Sequence, residues 1–67
     1  MRIAEMKYAV DVLPGDTLVH ETSLKQNRVV EVFRGEDPFG KIRVILCLQD
    51  GTEKQFFAHS KMYIRNW

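Results

Sequence analysis

Lys41-Ile42-Arg43-Val44-Ile45-Leu46-Cys47-Leu48-Gln49-Asp50-Gly51-Thr52-Glu53-Lys54-Gln55-Phe56-Phe57-Ala58 is the stretch on which the fold reading turns. From Lys41 to Gln49 the residues alternate with period two. Ile42, Val44, Leu46 and Leu48 make one apolar face, and Lys41, Arg43, Ile45, Cys47 and Gln49 make the other. Period-two alternation is the signature of a β-strand. A second face that is half apolar marks a central strand, covered at one end on both sides. Asp50-Gly51 is a hairpin signal, because a type I′ turn needs positive φ at both positions. A type I turn with a bulge satisfies the same residues, so the register stays open. Thr52–Ala58 returns as a strand carrying Phe56 and Phe57.

Working towards the N-terminus, Gly35–Gly40 is rich in breakers and reads as a loop. Arg28–Arg34 reads as a strand, with Val30 and Val32 on one side and Val29, Glu31 and Phe33 on the other. Glu21–Asn27 is polar and reads as a loop, and Thr17–His20 as a short strand. Leu13-Pro14-Gly15-Asp16 suits a type II turn, since proline presets φ at the second position and glycine supplies positive φ at the third. In residues 1–13 two periods compete. Ile3, Met6, Val10 and Leu13 recur at helical spacing, while Ala4, Met6, Tyr8, Val10 and Val12 alternate as in a strand. An extended segment from about Met6 is preferred over a short helix. Towards the C-terminus, His59–Met62 reads as a single helical turn and Tyr63–Arg65 as a closing strand. The sequence therefore predicts one all-β domain over residues 1–67. It has an N-terminal extension over 1–12, a small barrel over 13–67 and one short helical turn near the C-terminus.

That order resembles the Src-homology-3-like five-stranded barrels, and the Leu-Pro-Gly-Asp start is similar to small barrels of the Tudor and KOW kinds. The resemblance covers residues 13–67. It is one of pattern: a short strand, a long polar loop, three strands in consecutive hairpins, a helical turn and a closing strand. It implies a binding module. The peptide-binding members use an acidic first loop and paired tryptophans. Here Glu21–Asn27 carries Lys25 and one acid, and no tryptophan follows Phe33, so polyproline binding is not implied. An oligonucleotide-binding barrel is the alternative fold, although it normally has longer strands and a fuller helix.

Composition narrows the function classes. A chain of 67 residues with 45% hydrophobic residues makes one domain. A domain of that size has stability of about 3–10 kcal/mol. The single cysteine, Cys47, excludes an internal disulfide and fits a reducing compartment. No apolar run nears the roughly 20 residues of a membrane helix, and no signal peptide opens the chain, so a cytoplasmic protein is expected. The chain begins with Met1 and is read as a whole small protein of the bacterial or bacteriophage kind. The net charge of +1 points to no strongly charged partner. Arg2 and Lys7 against Glu5, Asp11, Asp16 and Glu21 leave residues 1–21 mildly acidic, and the remainder is mildly basic.

No catalytic constellation stands out, and no cofactor is expected. His20, Cys47 and His59, with Asp16 or Glu21, lack the short fixed spacings of metal ligands. Cys47 on an apolar strand is a small hydrophobe, not a nucleophile. The expected function is protein–protein interaction or regulation. Phe39, in a loop between Pro38 and Gly40, is the first anchor, with Pro38 and Phe33 beside it. Exposed aromatics are typical of such anchors. The alternative is a nucleic-acid-binding barrel using Arg28, Lys41, Arg43 and Lys54, with Phe33, Tyr63 and Trp67 for stacking. A further alternative is a structural subunit of a symmetric assembly, with a homodimer built on an apolar patch of Ile45, Cys47 and Phe57. Residues 1–12 are the competing cover for that patch.

Overall fold

The computed structural model describes residues 4–67. Ile3, one of the helical-period positions, lies outside them. The chain is all-β. Its strands are β1 (Ala4–Tyr8), β2 (Thr17–Val19), β3 (Gln26–Glu36), β4 (Ile42–Leu48), β5 (Glu53–Phe57) and β6 (Lys61–Arg65). All neighbours are antiparallel, in the order β1-β6-β2-β3-β4-β5. Among the described residues the ladder stops at β1 on one side and β5 on the other. No helix among them is long and apolar enough to cross a membrane.

β4 is paired on both sides, by β3 and β5, but it lies next to the end of the sheet, and only its fully apolar face is covered; the cover expected at one end of its half-apolar face is absent among the described residues. Val44, Leu46 and Leu48 are buried and form the core with Val29, Ile64, Ala9 and Val12. Val32, Phe56, Leu18 and Met62 pack around them. The two hairpins that flank β4 close in the same way. At one end, Gly51 N–H donates to the Leu48 carbonyl at 3.0 Å and Leu48 N–H to the Thr52 carbonyl at 2.8 Å. Gly51 has φ +88°, and neither Gln49 nor Asp50 has positive φ. This is the type I turn with a glycine bulge, not type I′. At the other end, Gly40 (φ +79°) donates to Asp37 and Asp37 to Lys41, at 3.0 and 2.8 Å. The loop expected over 35–40 is thus shorter. Gly35 and Glu36 stay in β3, paired with Arg43 and Ile42.

Three other expectations are corrected. Val30 and Val32 do not share a face. A bulge between Val29 and Glu31 inserts Val30 as the extra residue, so Val29 is buried while Val30 is 51% exposed. The alternation changes phase there, and Val29 and Val32 both turn to the core. The helical turn near the C-terminus is absent. His59 lies in a tight turn, with Ser60 N–H donating to the Phe57 carbonyl at 3.1 Å, and β6 begins at Lys61. The one helical turn among the described residues is a 3₁₀ turn at Ala9–Asp11. Residues 4–12 are therefore strand and then 3₁₀: the extended segment expected from about Met6 starts at Ala4 and ends at Tyr8, and Val10 and Val12 do not continue it. β1 pairs with β6 instead of covering the outer face of β4.

The 3₁₀ turn is tied down from two sides. Ala9 and Val10 N–H donate to the Ser60 and Ala58 carbonyls at 2.8 and 3.0 Å. The Arg34 guanidinium donates to the carbonyls of Val10 (3.0 Å) and Val12 (3.3 Å). The Leu13–Asp16 turn forms as expected, with Gly15 at φ +97° and Asp16 N–H donating to Leu13 at 3.1 Å. A Lys7–Asp16 ion pair at 3.1 Å joins it to β1.

Two glycines on the β3–β4–β5 sheet separate conformational need from space. A Cβ at either Gly35 or Gly51 would meet nothing within 4 Å, but only Gly51 has positive φ. Gly51→Ala is expected to lose about 1 kcal/mol of stability through the left-handed backbone alone. Gly35→Ala is expected to be neutral or to gain a few tenths of a kcal/mol by restricting the unfolded chain. Urea unfolding of the two variants checks this; equal effects of the same sign would contradict the turn assignment.

Candidate interaction surface

The face of β3–β4–β5 turned away from the core is built in cross-strand rows. Registers place Glu31, Cys47 and Glu53 in one row, and Phe33, Ile45 and Gln55 in the next. Gly35, Arg43 and Phe57 follow, and the Asp37–Gly40 turn lies beyond. Nothing among the described residues covers this face. Phe33 is 52% exposed and Phe57 47%, while Ile45 and Cys47 are half-buried by their neighbours. Gly35 has no side chain opposite Arg43, and the guanidinium lies 4.0 Å from the Phe57 ring centre. Such a cation–π contact at an exposed site contributes about 0.5–1 kcal/mol. Lys41 Nζ sits 5.6 Å from the same ring.

The turn that ends this face is rigidly made. Asp37 Oδ1 accepts the N–H of Phe39 and of Lys41, both at 2.9 Å, and Oδ2 accepts Arg43 Nε at 3.1 Å. Donation from the Lys41 N–H, then from Arg43 and the Phe39 N–H, holds the Asp37 carboxyl below its ordinary range. Pro38 and Phe39 occupy the tip, and Phe39 is 86% exposed. Its ring makes no cap over the core. At 11 residues, β3 spans about 35 Å, most of the 42 Å length of the molecule. The hairpin therefore carries Phe39 well beyond the buried layer.

The residues expected to form a basic stripe are divided. Lys41 and Arg43 share the outer face at the Asp37 end, with Arg43 engaged by Asp37. Lys54 pairs with Leu46 and lies on the opposite face of β5. Arg28 sits before the bulge, paired with Thr17, near the other hairpin. Trp67 is partly exposed, with Arg65 5.6 Å from its ring. His20, Cys47 and His59 do not converge, and no group of three metal-ligand side chains occurs among the described residues. Burial first, then the charges of Glu53 and Glu31, pushes the Cys47 thiol up.

Sequence reading missed a second feature. A cleft of about 540 Å³ opens on the core side, between the His20–Lys25 loop, β5 and β6, and it brings together Lys25, Lys54 and Lys61. The only available signal was the shared parity of Lys54 and Phe56. No protein-family model, curated protein or solved structure matches this chain.

Two outcomes follow from the electrostatics. The depressed Asp37 carboxyl contributes stability that is present above the value it has in the unfolded chain. That stability is lost as pH falls through the lower folded value. Asp37→Asn should flatten the loss of stability on acidification, as read by urea unfolding at several pH values; an unchanged slope would contradict the turn geometry. The Cys47 thiol should react slowly with a disulfide reagent at neutral pH. Reaction should quicken in Glu31→Gln plus Glu53→Gln, because more thiolate is then present; no change would assign the slow rate to burial, through desolvation and access, and not to the two carboxylates.

Proposed function

We infer that this chain is a non-catalytic protein-docking module on a Src-homology-3-like small barrel. It works as an accessory or regulatory factor that engages another protein through the outer face of β3–β4–β5 and the Asp37–Gly40 tip. Support for the fold comes from the strand order. β2 to β5 run in succession and β6 returns beside β2 as in the resemblance, with a tight turn in place of its helical one and with the ladder ending at β1 and β5 among the described residues. The single observation that carries the function is the uncovered apolar path from Phe33 and Ile45 to Phe57, continued by Phe39 at the tip. Partly exposed aromatics on a rigid hairpin lose little entropy on binding, which is what an anchor needs.

A homodimer is the second reading, on a different observation. The face is acidic at the Glu31–Glu53 row and basic at Lys41, since Arg43 is paired with Asp37, with the Phe33–Ile45 row between them. A two-fold axis through the middle row would set unlike charges together. The nucleic-acid reading is weaker, because Arg28, Lys41, Arg43 and Lys54 are spread over two faces and one of them is neutralised by Asp37.

Selection of binders from a displayed library of protein fragments tests the primary reading. Selected binders should lose tenfold or more in affinity with Phe39→Ala or Phe33→Ala, while the thermal midpoint of each variant stays near wild type. Binders indifferent to both substitutions would remove this surface from the account. In parallel, labelled single-stranded DNA and RNA are titrated at low salt. Tight binding that falls steeply with salt, and falls further in Lys41→Ala plus Arg43→Ala, would replace the docking reading with the nucleic-acid one. A concentration-dependent dimer abolished by Phe33→Glu would select the second copy as partner.

A further inference from the structure

β5 is the end of the sheet. Its hydrogen-bonded pairs with β4 follow from the two bonds at its ends, Leu48 N–H to Thr52 and Ala58 N–H to Ile42, at 2.8 and 3.1 Å. In an antiparallel ladder bonded and non-bonded pairs alternate, so Lys54 and Phe56 point their backbone groups at β4. Glu53 and Gln55 then point theirs the other way, where no strand pairs among the described residues. Beyond them the edge is closed. The Phe57 carbonyl accepts Ser60 N–H, and the 3₁₀ turn bonds to Ala58. A short open edge remains at Glu53–Gln55.

This edge borders the lysine cleft. Lys54 and Phe56 lie on the core-side face of β5, and both line the cleft. Its apolar wall includes Leu18, Leu48 and Met62, and its rim carries Lys25, Lys54 and Lys61. The only ion pairs among the described residues are Lys7–Asp16 and Arg43–Asp37, so the three rim ammoniums have none. Two acids also line the cleft, Glu21 on the exposed loop and Asp50, whose ionised carboxylate accepts from the Asn27 amide and the Thr52 hydroxyl at 2.9 and 2.6 Å, so the three lysines outnumber them and leave the lining basic by one charge. The loop that forms one wall is braced by the His20 ring, whose Nδ1 accepts the N–H of Thr22 and Ser23 at 3.3 and 3.2 Å.

We propose that the β5 edge and the lysine cleft together form a site for an extended acidic peptide segment, added as a strand beside β5. The proposal rests on the protein-docking reading and names the chemistry of its partner. An added strand pairs with the outward backbone groups of Glu53 and Gln55, and its alternate side chains face the cleft. On that face β5 presents Lys54 and then Phe56. The matching ligand therefore carries an acidic and an apolar residue two positions apart. Backbone pairing supplies affinity and the lysine rim supplies the preference for acid. The charged residues of β5, Glu53 and Lys54, guard the edge against indiscriminate pairing with a second copy.

The probe is the peptide acetyl-Ser-Glu-Thr-Leu-Thr-Glu-Ser-amide, whose acid–apolar–acid face is the same in either strand direction. Its counterpart with lysine for each glutamate is the control. Amide chemical shifts of the ¹⁵N-labelled protein report the site. The acidic peptide should shift the Glu53 and Gln55 amides and slow their hydrogen exchange, and the lysine peptide should not. Gln55→Pro should bind tenfold or more weakly while keeping its fold, since proline is tolerated where the N–H faces away from the ladder. Lys54→Glu plus Lys61→Glu should weaken binding by a similar factor without touching the backbone, which keeps the test valid if the proline variant unfolds. Glu5→Gln, on β1 at the opposite end of the sheet, should bind as wild type does. The proposal is overturned if the peptide fails to bind at millimolar concentration, or if folded Gln55→Pro or the double lysine variant binds unchanged. Loss of peptide binding in Phe39→Ala would move the ligand to the hairpin tip, ending the edge assignment and leaving the docking reading intact.

Discussion

The register of β4 between β3 and β5 is the constraint on which the rest of the molecule depends. Two turns of one design hold it. Each has a glycine in the left-handed region and an aspartate whose carboxylate accepts nearby backbone N–H groups. A slip of one residue would send Val44, Leu46 and Leu48 outward and bring Arg43, Ile45 and Cys47 into the core. The carboxylates also tie the turns to their surroundings, Asp37 to Arg43 and Asp50 to Asn27 on β3. Donation from the Thr52 hydroxyl and N–H, then from Asn27, holds Asp50 below its ordinary range, so both turns are made stable by the ionised carboxylate.

With that register set, the two faces of β4 have different fates. The core face is closed by the 3₁₀ turn, β6 and the bulged start of β3. The outer face receives nothing, because residues 4–8 leave to pair with β6. The bulge at Val30 matters here. It lets Val29 and Val32 both serve the core, and it leaves Phe33 opposite Ile45 on the open side. An uncovered apolar face and an end strand with outward backbone groups thus meet at β5. That strand contributes Phe57 to one surface and Lys54 and Phe56 to the other.

Local strength explains which parts were legible. β4 and the β4–β5 turn could be read because period-two alternation and Asp-Gly chemistry act over neighbouring residues. The Leu13–Asp16 turn was legible for the same reason. The phase change at Val30 was not, since a bulge depends on what the partner strand offers and Val29 and Val30 are chemically identical. The expected helical turn at His59–Met62 failed because Met62 and Ile64 alternate into the core once β6 is clamped between β1 and β2. For the candidate surface, Phe39 and Phe33 could be named from their surroundings in sequence. Arg34 could not, since its bonds reach carbonyls more than twenty residues away.

By itself the sequence determined an all-β chain, the Lys41–Gln49 strand with its two unlike faces, the turns at Leu13–Asp16 and Asp50-Gly51, and a single cysteine. Those follow from side-chain alternation and from the φ demands of Gly and Pro, which are properties of a few adjacent residues. Tertiary structure alone decided which face was left uncovered and where β1 went. It also decided that Lys25, Lys54 and Lys61, separated along the chain, would stand around one cleft at an unpaired edge. Strand order governs each of these, and strand order is a sum over long-range pairings that no local pattern encodes.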